Sequence, residues 1–416
     1  MAQLSDDCFA FGGKLLPLED ALARLKDVFP PVVETERVLL DRVAGRILAD
    51  DLLAPIDVPA HDNSAVDGYA FRHADLVAAG STRLMLVGRA AAGHPHVGTP
   101  APGTAVRIFT GAPMPSGFDS VLMQEDATVE DGYVIVPPGL KPGANRRFAG
   151  EDCKQGSVAI VAGTRLRAQE VGLTAAFGLT GLVVRRRLRV AVLSTGDEIA
   201  EPGTRLASGQ IYDSNRRTLA TLLTGLGAEV TDLGILEDKP EAVRLHLAAA
   251  ADGHDAIVTS GGVSEGEEDH IREGVATLGR LHWWRIAIKP GRPVSVGQIG
   301  ATAFMGLPGN PAATMTTFFM VARPLLLQIA GAAHRPQIRL RVRAGFAQKK
   351  KSGRVEYVRV RLEAGADGPV ARRFAREGAG LLSSMVWSDG LAELPLDLER
   401  LEEGSLIDYL PFAEMT

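Results

Sequence analysis

Five short segments between residues 188 and 311 set glycine and hydroxyl residues beside carboxylates and cations. They are STGDE (194–198), GILED (234–238), SGGVSEGEED (260–269), IKPGRP (288–293) and GLPGNP (306–311). Glycine with Ser or Thr just before a helix leaves backbone N–H groups free for an anion, and the helix dipole adds to their pull. Ser194, Thr195, Gly196, Gly261, Gly262, Pro308 and Asn310 are the candidates for that cradle. Asp197, Glu198, Asp238, Glu267, Glu268 and Asp269 would repel the same anion unless a cation stood between them. Carboxylates beside a phosphate are what Mg²⁺ needs, because it takes oxygen ligands and shares itself with substrate phosphates. Glu198, Asp238 and Asp269 are therefore candidate metal ligands, and Lys289 and Arg292 supply direct positive charge. The chemistry implied is a metal-assisted phosphoanhydride or oxyanion site.

A second concentration lies earlier in the chain. HDNSAVDGYA (61–70) is polar and tightly turned, RIFTGAPMP (107–115) runs from a strand into a glycine turn, and NRRFAGED (145–152) pairs arginines with carboxylates. Each alone reads as a turn or a surface ion pair, and composition does not join them to the first group.

The elements that must position these residues follow from periodicity. Residues 15–53 read as helical, with Leu18, Leu22 and Leu25 and then Leu39, Val43, Ile47 and Leu48 at helical spacing. Residues 55–154 alternate short β-prone runs with Gly and Pro turns, as a small β module does. A helix is expected over 168–177. Strands at 188–193, 229–233, 256–259, 283–288 and 301–305 alternate with helices at 215–226, 240–251, 269–278 and 312–329. That alternation means βαβ units and a mostly parallel sheet, with the five chemical segments gathered on its carboxyl edge. Period-two patterning at 338–342 and 355–362 predicts a C-terminal β domain.

Composition excludes other classes. A formal charge of −5 gives no general affinity for nucleic acid. No uninterrupted apolar run reaches the roughly 18 residues of a membrane span. Cys8 and Cys153 form neither a metal-ligand spacing nor a disulfide framework. With no basic, apolar leader at the N-terminus, a cytoplasmic protein is expected.

These motifs resemble the molybdopterin molybdenumtransferase family, which includes the C-terminal E domain of gephyrin. DNSAVDGYA and FTGAPMP resemble two of its motifs, and STGDEI, GQIYDSN, GGVSEGEEDH, IAIKPGRP and GLPGNP match its α/β domain in order and spacing. The resemblance implies a multidomain α/β plus β fold: a central three-layer α/β domain (188–335), an inserted β module (56–155), a helical linker and dimerisation segment (1–55 and 156–187) and a C-terminal β barrel-like domain (336–416). It implies insertion of molybdate into adenylylated molybdopterin with Mg-dependent release of AMP. It also implies a homodimer whose cleft unites the β module of one chain with the α/β and C-terminal domains of the other. Contact with the molybdopterin adenylyltransferase and with downstream molybdoenzyme chaperones would follow. By position, Glu198, Asp269, Lys289, Asp67 and Thr110 take catalytic places, and Arg285 and Arg359 join the residues around the substrate. Arg285 stands where the family pattern has Lys, and Ala379 where a Ser is expected. Two other readings share parts of the pattern: a molybdopterin adenylyltransferase, which lacks the β module, and a gephyrin-like scaffold without catalysis.

Overall fold

The computed structural model describes residues 15–261, 270–291 and 293–415. Gly262, Glu267, Glu268, Asp269 and Arg292 lie outside the described residues. The central sheet has six strands in the order Glu229–Leu236, Arg189–Thr195, Ala256–Ser260, Thr302–Leu307, Pro293–Ile299, Arg280–Arg285. The first four run parallel. Val190, Val192, Ala256 and Val258 face one core, while Ala191, Leu193, Ile257 and Phe304 face another. Near-continuous apolar runs are what burial on both faces demands.

Two expectations need correction here. The strand expected at 283–288 is Arg280–Arg285, and Pro293–Ile299 is a further strand, antiparallel to both of its neighbours. The chain returns through the Gly300–Ala301 turn to pair Ile299 with Thr302, a hairpin that the expected βαβ rhythm leaves no room for. Arg280–Arg285 still points the same way as the parallel four, so the segment after it reaches the same edge of the sheet.

Residues 15–53 are not helical throughout, which is the second correction. Leu18–Val28 is a helix, but Thr35–Leu39, Ile47–Leu48 and Leu52–Leu53 are strands. Leu39, Val43 and Ile47 recur every four residues without sharing a helix. Pro30 and Pro31 end the first element, Gly45 takes a left-handed φ of 76°, and β-branched residues favour extended backbone. Thr35–Leu39 and Ile47–Leu48 flank Gly181–Arg185 in a three-stranded sheet around Val43, Leu48, Leu182 and Val184. The Leu18–Val28 helix belongs elsewhere: its Ala21 and Leu25 enter the α/β core.

The β module hangs from a neck of two chain crossings. Val58 and Cys153 exchange backbone hydrogen bonds at 2.8 and 3.0 Å, and Ala54 accepts from Gly156 and donates to Ser157. Beyond the neck a six-stranded sheet carries one core on each face.

The C-terminal strands Val355–Glu363, Val370–Arg373, Leu340–Ala344, Leu406–Pro411 and Gly390–Leu394 close on themselves, because the first also pairs with the last. Ile288–Lys289 of the α/β domain adds to this barrel in parallel with Val355–Glu356. Tyr357, Leu391 and Leu410 of the barrel share a core with Val294, Phe318 and Phe319. The Pro311–Ile329 helix, long and apolar enough to cross a membrane by length and composition, has 72% of its apolar window buried in protein; it is the core helix at this joint. Phe319 lies 5.5 Å, ring to ring, from Phe412 at the joint. Phe319→Ala is expected to lower unfolding stability by about 3–5 kcal/mol. Amides of Leu391 and Leu410 should lose hydrogen-exchange protection together with those of Val190 and Val258; barrel amides left fully protected would refute the shared core.

Candidate functional site

The joint between sheet edge and barrel encloses a cavity of about 820 Å³. Its α/β wall carries Thr195, Gly196, Glu198, Asp238, Gly261, Pro308 and Asn310. Lys289 and Gly291 stand at the seam, and the barrel supplies Glu356, Arg359, Arg354, Arg373 and Arg376. All but three of the expected α/β-edge residues that the structure describes come together here; Asp197 is exposed outside the lining, its carbonyl accepting from Gln210 Nε2 at 3.3 Å. Ser194 is buried beneath the rim, 1% exposed, with its hydroxyl unpartnered. Arg285 does not line the cavity; its carbonyl accepts a hydrogen bond from Leu16 N–H at the strand end.

The STGDE turn shows how local sequence aims a carboxylate. Gly196 takes a φ of 136°, and a Cβ there would stand 2.5 Å from the Glu198 carboxylate, so only glycine leaves that carboxylate its position. Ile211 N–H then donates to Glu198 O at 2.7 Å, through the small Ile199–Ala200 and Ile211–Tyr212 ribbon. Beneath this ribbon Arg216, 1% exposed, donates Nε to Asp213 Oδ2 at 2.9 Å and pairs with Asp232 and Glu201. Burial works against its charge, yet the bonds to Asp213 and Asp232 outweigh burial and push the guanidinium pKa up. A buried arginine without such partners would be strongly destabilising. The third and fifth segments are tied together by Asn215, whose Nδ2 donates to Ser260 Oγ at 2.8 Å and Gly309 O at 2.6 Å. From the barrel side, Ala379 O accepts from Ala312 N–H at 2.9 Å, closing the 378–380 turn onto the start of the core helix.

The electrostatics are split. The barrel wall and seam present Lys289, Arg354, Arg359, Arg373 and Arg376, with Glu356 and Glu377 among them, whereas the α/β wall presents Glu198 and Asp238. Arg359 donates to Ser384 Oγ and Gly378 O, and burial pulls its pKa below the usual guanidinium value. Burial pushes the Tyr357 hydroxyl far above the usual phenol range, so it stays protonated. Arg354, Glu356, Arg373, Arg376 and His270 were not assigned site roles from sequence. Arg354 and Glu356 share the RVEYVRV run with Arg359, but period-two alternation gave no reason to turn them toward the same cavity.

Asp67 and Thr110 lie apart, at the tip of the β module, and neither lines the cavity of this chain. They are joined: the Asp67 carboxylate accepts from Thr110 N–H and Oγ1, each at 2.8 Å. The three polar segments meet at this tip, since Asp62 accepts from Arg146 and from Ala149 N–H, and Arg107 donates to Gly68 O at 3.2 Å with its guanidinium over Tyr69 and Phe109.

Three family models divide nearly the whole chain. MoeA N-terminal region (domain I and II) matches residues 16–178, probable molybdopterin binding domain matches 191–328, and MoeA C-terminal region (domain IV) matches 341–412. The fold and cleft thus define a protein of the MoeA class. A molybdopterin biosynthesis moeA protein from Pyrococcus horikoshii superimposes with a TM-score of 0.82 at 28% identity, covering 96% of this chain and 100% of that one. A second solved structure of such a protein from that source gives 0.75 at 33% identity, covering 96% and 99%. The chain is 37% identical over 401 residues to the molybdopterin molybdenumtransferase of Haemophilus influenzae, covering 96% of this chain and 99% of that one. It is 38% identical over 307 residues to the one from Nostoc sp., covering 72% and 70%. The chain belongs to the molybdopterin molybdenumtransferase family.

The Asp67 tip is open to a direct test. Backbone and hydroxyl bonds from Thr110 stabilise the ionised carboxyl and hold its pKa below the ordinary 3.8. Because the folded value is depressed, the contact is intact at neutral pH and is lost only as pH falls through that lower midpoint. In carboxyl-carbon NMR, Asp67 should titrate below 3.8, and Thr110→Val, which keeps the N–H and removes the hydroxyl, should move the midpoint part of the way back up. A midpoint that ignores Thr110→Val would break the assignment.

Proposed function

We propose that this protein inserts molybdate into adenylylated molybdopterin, releasing AMP, in the cytoplasmic assembly of the molybdenum cofactor. The observation that carries the reading is the cavity in which Glu198 and Asp238 face a cationic wall containing Lys289 and Arg359. A dianion and a phosphoanhydride fit such a split surface, because cations hold the oxyanion while carboxylates need a metal to meet the phosphates.

The donor set suits Mg²⁺. Among the described residues no group of three or more His, Cys, Asp or Glu side chains could cage a metal by itself. Two carboxylates with a hydroxyl at Thr195 match an ion that completes its shell with substrate phosphates and water. Glu198 and Asp238 would hold it, with Asp269 as a third ligand by sequence position. Bound there, Mg²⁺ supplies Lewis-acid neutralisation of charge on the anhydride. The chain's own residues do the rest: the Gly196 and Gly261 turns receive phosphate oxygens, and Lys289 and Arg359 hold molybdate.

The Asp67–Thr110 tip is supplied, in this reading, by a second copy of the chain in a homodimer. The same surfaces would meet the adenylyltransferase that delivers the substrate and the chaperones that take the product. With adenylylated molybdopterin, molybdate and Mg²⁺, the wild type should release AMP, and Glu198→Gln or Lys289→Met should lower kcat by about a hundredfold, roughly 2.7 kcal/mol of barrier. Gly196→Ala should lose about tenfold in activity and also lower the unfolding midpoint, since a Cβ displaces the Glu198 carboxylate and strains a backbone held at a φ of 136°. Co-expressed Asp67→Asn and Glu198→Gln chains should regain activity that neither has alone, because one site of the mixed dimer is intact. Wild-type-like AMP release by Glu198→Gln sinks the reading, and absence of complementation sinks its shared site.

A further inference from the structure

Glu356 lines the cavity, yet nothing in the chemistry above uses it. It is 2% exposed, and it stands directly opposite Lys289 in the parallel pairing that joins the α/β domain to the barrel. Lys289 Nζ donates to its two oxygens at 3.3 and 3.2 Å, and Gln348 Nε2 donates to Oε2 at 2.9 Å. Arg354 adds an ion pair at 3.4 Å. The two members of the central pair are unlike. The Lys289 side chain is 46% exposed, while that of Glu356 is 3% exposed. A compact ammonium on a flexible four-carbon stem can leave; a buried carboxylate under three donors cannot.

We propose that Glu356 is a positioning residue that holds the Lys289 ammonium in reserve and yields it to an incoming dianion. This rests on the oxyanion seat of the proposed function. When the dianion enters, Lys289 swings from Glu356 to the anion, while Gln348 and Arg354 stay on the carboxylate. Glu356 is therefore never left bare, and the exchange avoids the penalty of an unpaired buried charge. Oxyanion affinity becomes a difference between two partners competing for one cation. Glu356 sets that affinity below what Lys289 alone would give, and it favours anions with charge enough to outbid a carboxylate.

The test is calorimetric titration of the full chain with tungstate alone. Glu356→Gln removes the competitor and keeps an acceptor for the same donors, so tungstate should bind roughly tenfold more tightly, the scale expected when a unit charge near the seat is removed. Gln348→Leu strips a donor from Glu356 and so binds Lys289 more firmly to it; tungstate should bind about threefold more weakly. On a Lys289→Met background the gain from Glu356→Gln should largely vanish. Unchanged or weaker binding by folded Glu356→Gln overturns the proposal, as does an equal gain on the Lys289→Met background, or failure of the wild type to bind tungstate. Should Glu356→Gln not fold, Gln348→Leu decides: binding no weaker than wild type overturns it. AMP release by the wild type is read separately, so loss of the proposed activity is distinguishable from failure of this exchange.

Discussion

Two residues of backbone pairing, Ile288–Lys289 against Val355–Glu356, place the carboxyl edge of one sheet against the wall of a barrel. The cavity of this chain is arranged around that seam. The core beneath it is continuous, with Tyr357 and Leu410 packed among Phe318 and Phe319, so the two walls of the cleft are parts of one body. A seam of this kind brings opposite charges close without pairing all of them. Glu198 and Asp238 come from turns at strand ends, while the arginines come from barrel strands, the bend just before Val355 and the loop after Arg373. The cavity therefore draws its Glu198 and Asp238 carboxylates from one domain and most of its cations from the other.

The α/β wall owes its shape to charges and glycines in unequal roles. Gly196 and Gly261 are in φ ranges open to glycine, and they bring backbone to the rim. Arg216 works from below: enclosed by Asp213 and Asp232, it anchors the helix that follows the ribbon next to Glu198. This buried group supports a surface one. Asp213, Asp232 and Glu201 hold that arginine, while Glu198 and Asp238 line the cavity.

Much of the architecture could be read from residues alone, because parallel strands buried on both faces announce themselves as apolar runs followed by Gly-rich turns. STGDE, GILED, Ser260–Gly261 and GLPGNP lie at strand ends as that pattern requires. The reading failed where periodicity is ambiguous. Leu39, Val43 and Ile47 keep helical spacing by accident of a strand, a turn and a strand. Pro293–Ile299 was hidden because its first residue closes the IKPGRP segment and its direction breaks the expected rhythm. At the site, the residues on turns were found and those on the barrel were mostly not. Arg359 entered through family resemblance, whereas Glu356 and Arg354, three and five residues before it, carry no local signal. Which face of a barrel strand meets a neighbouring domain is decided by closure, and closure is not written in any one segment.

The neck of the β module has a mechanical side. Two antiparallel crossings near residues 54–58 and 153–157, with mutual bonds between Val58 and Cys153, resist sliding of one strand along the other. The six-stranded sheet beyond them has its own cores and behaves as a rigid arm. Any flexure at the neck therefore carries Asp67 and Thr110 as a unit. A handful of backbone contacts at the neck governs where that cluster sits, so substitutions at residues 54–58 can retune its placement while leaving every polar group in it unaltered.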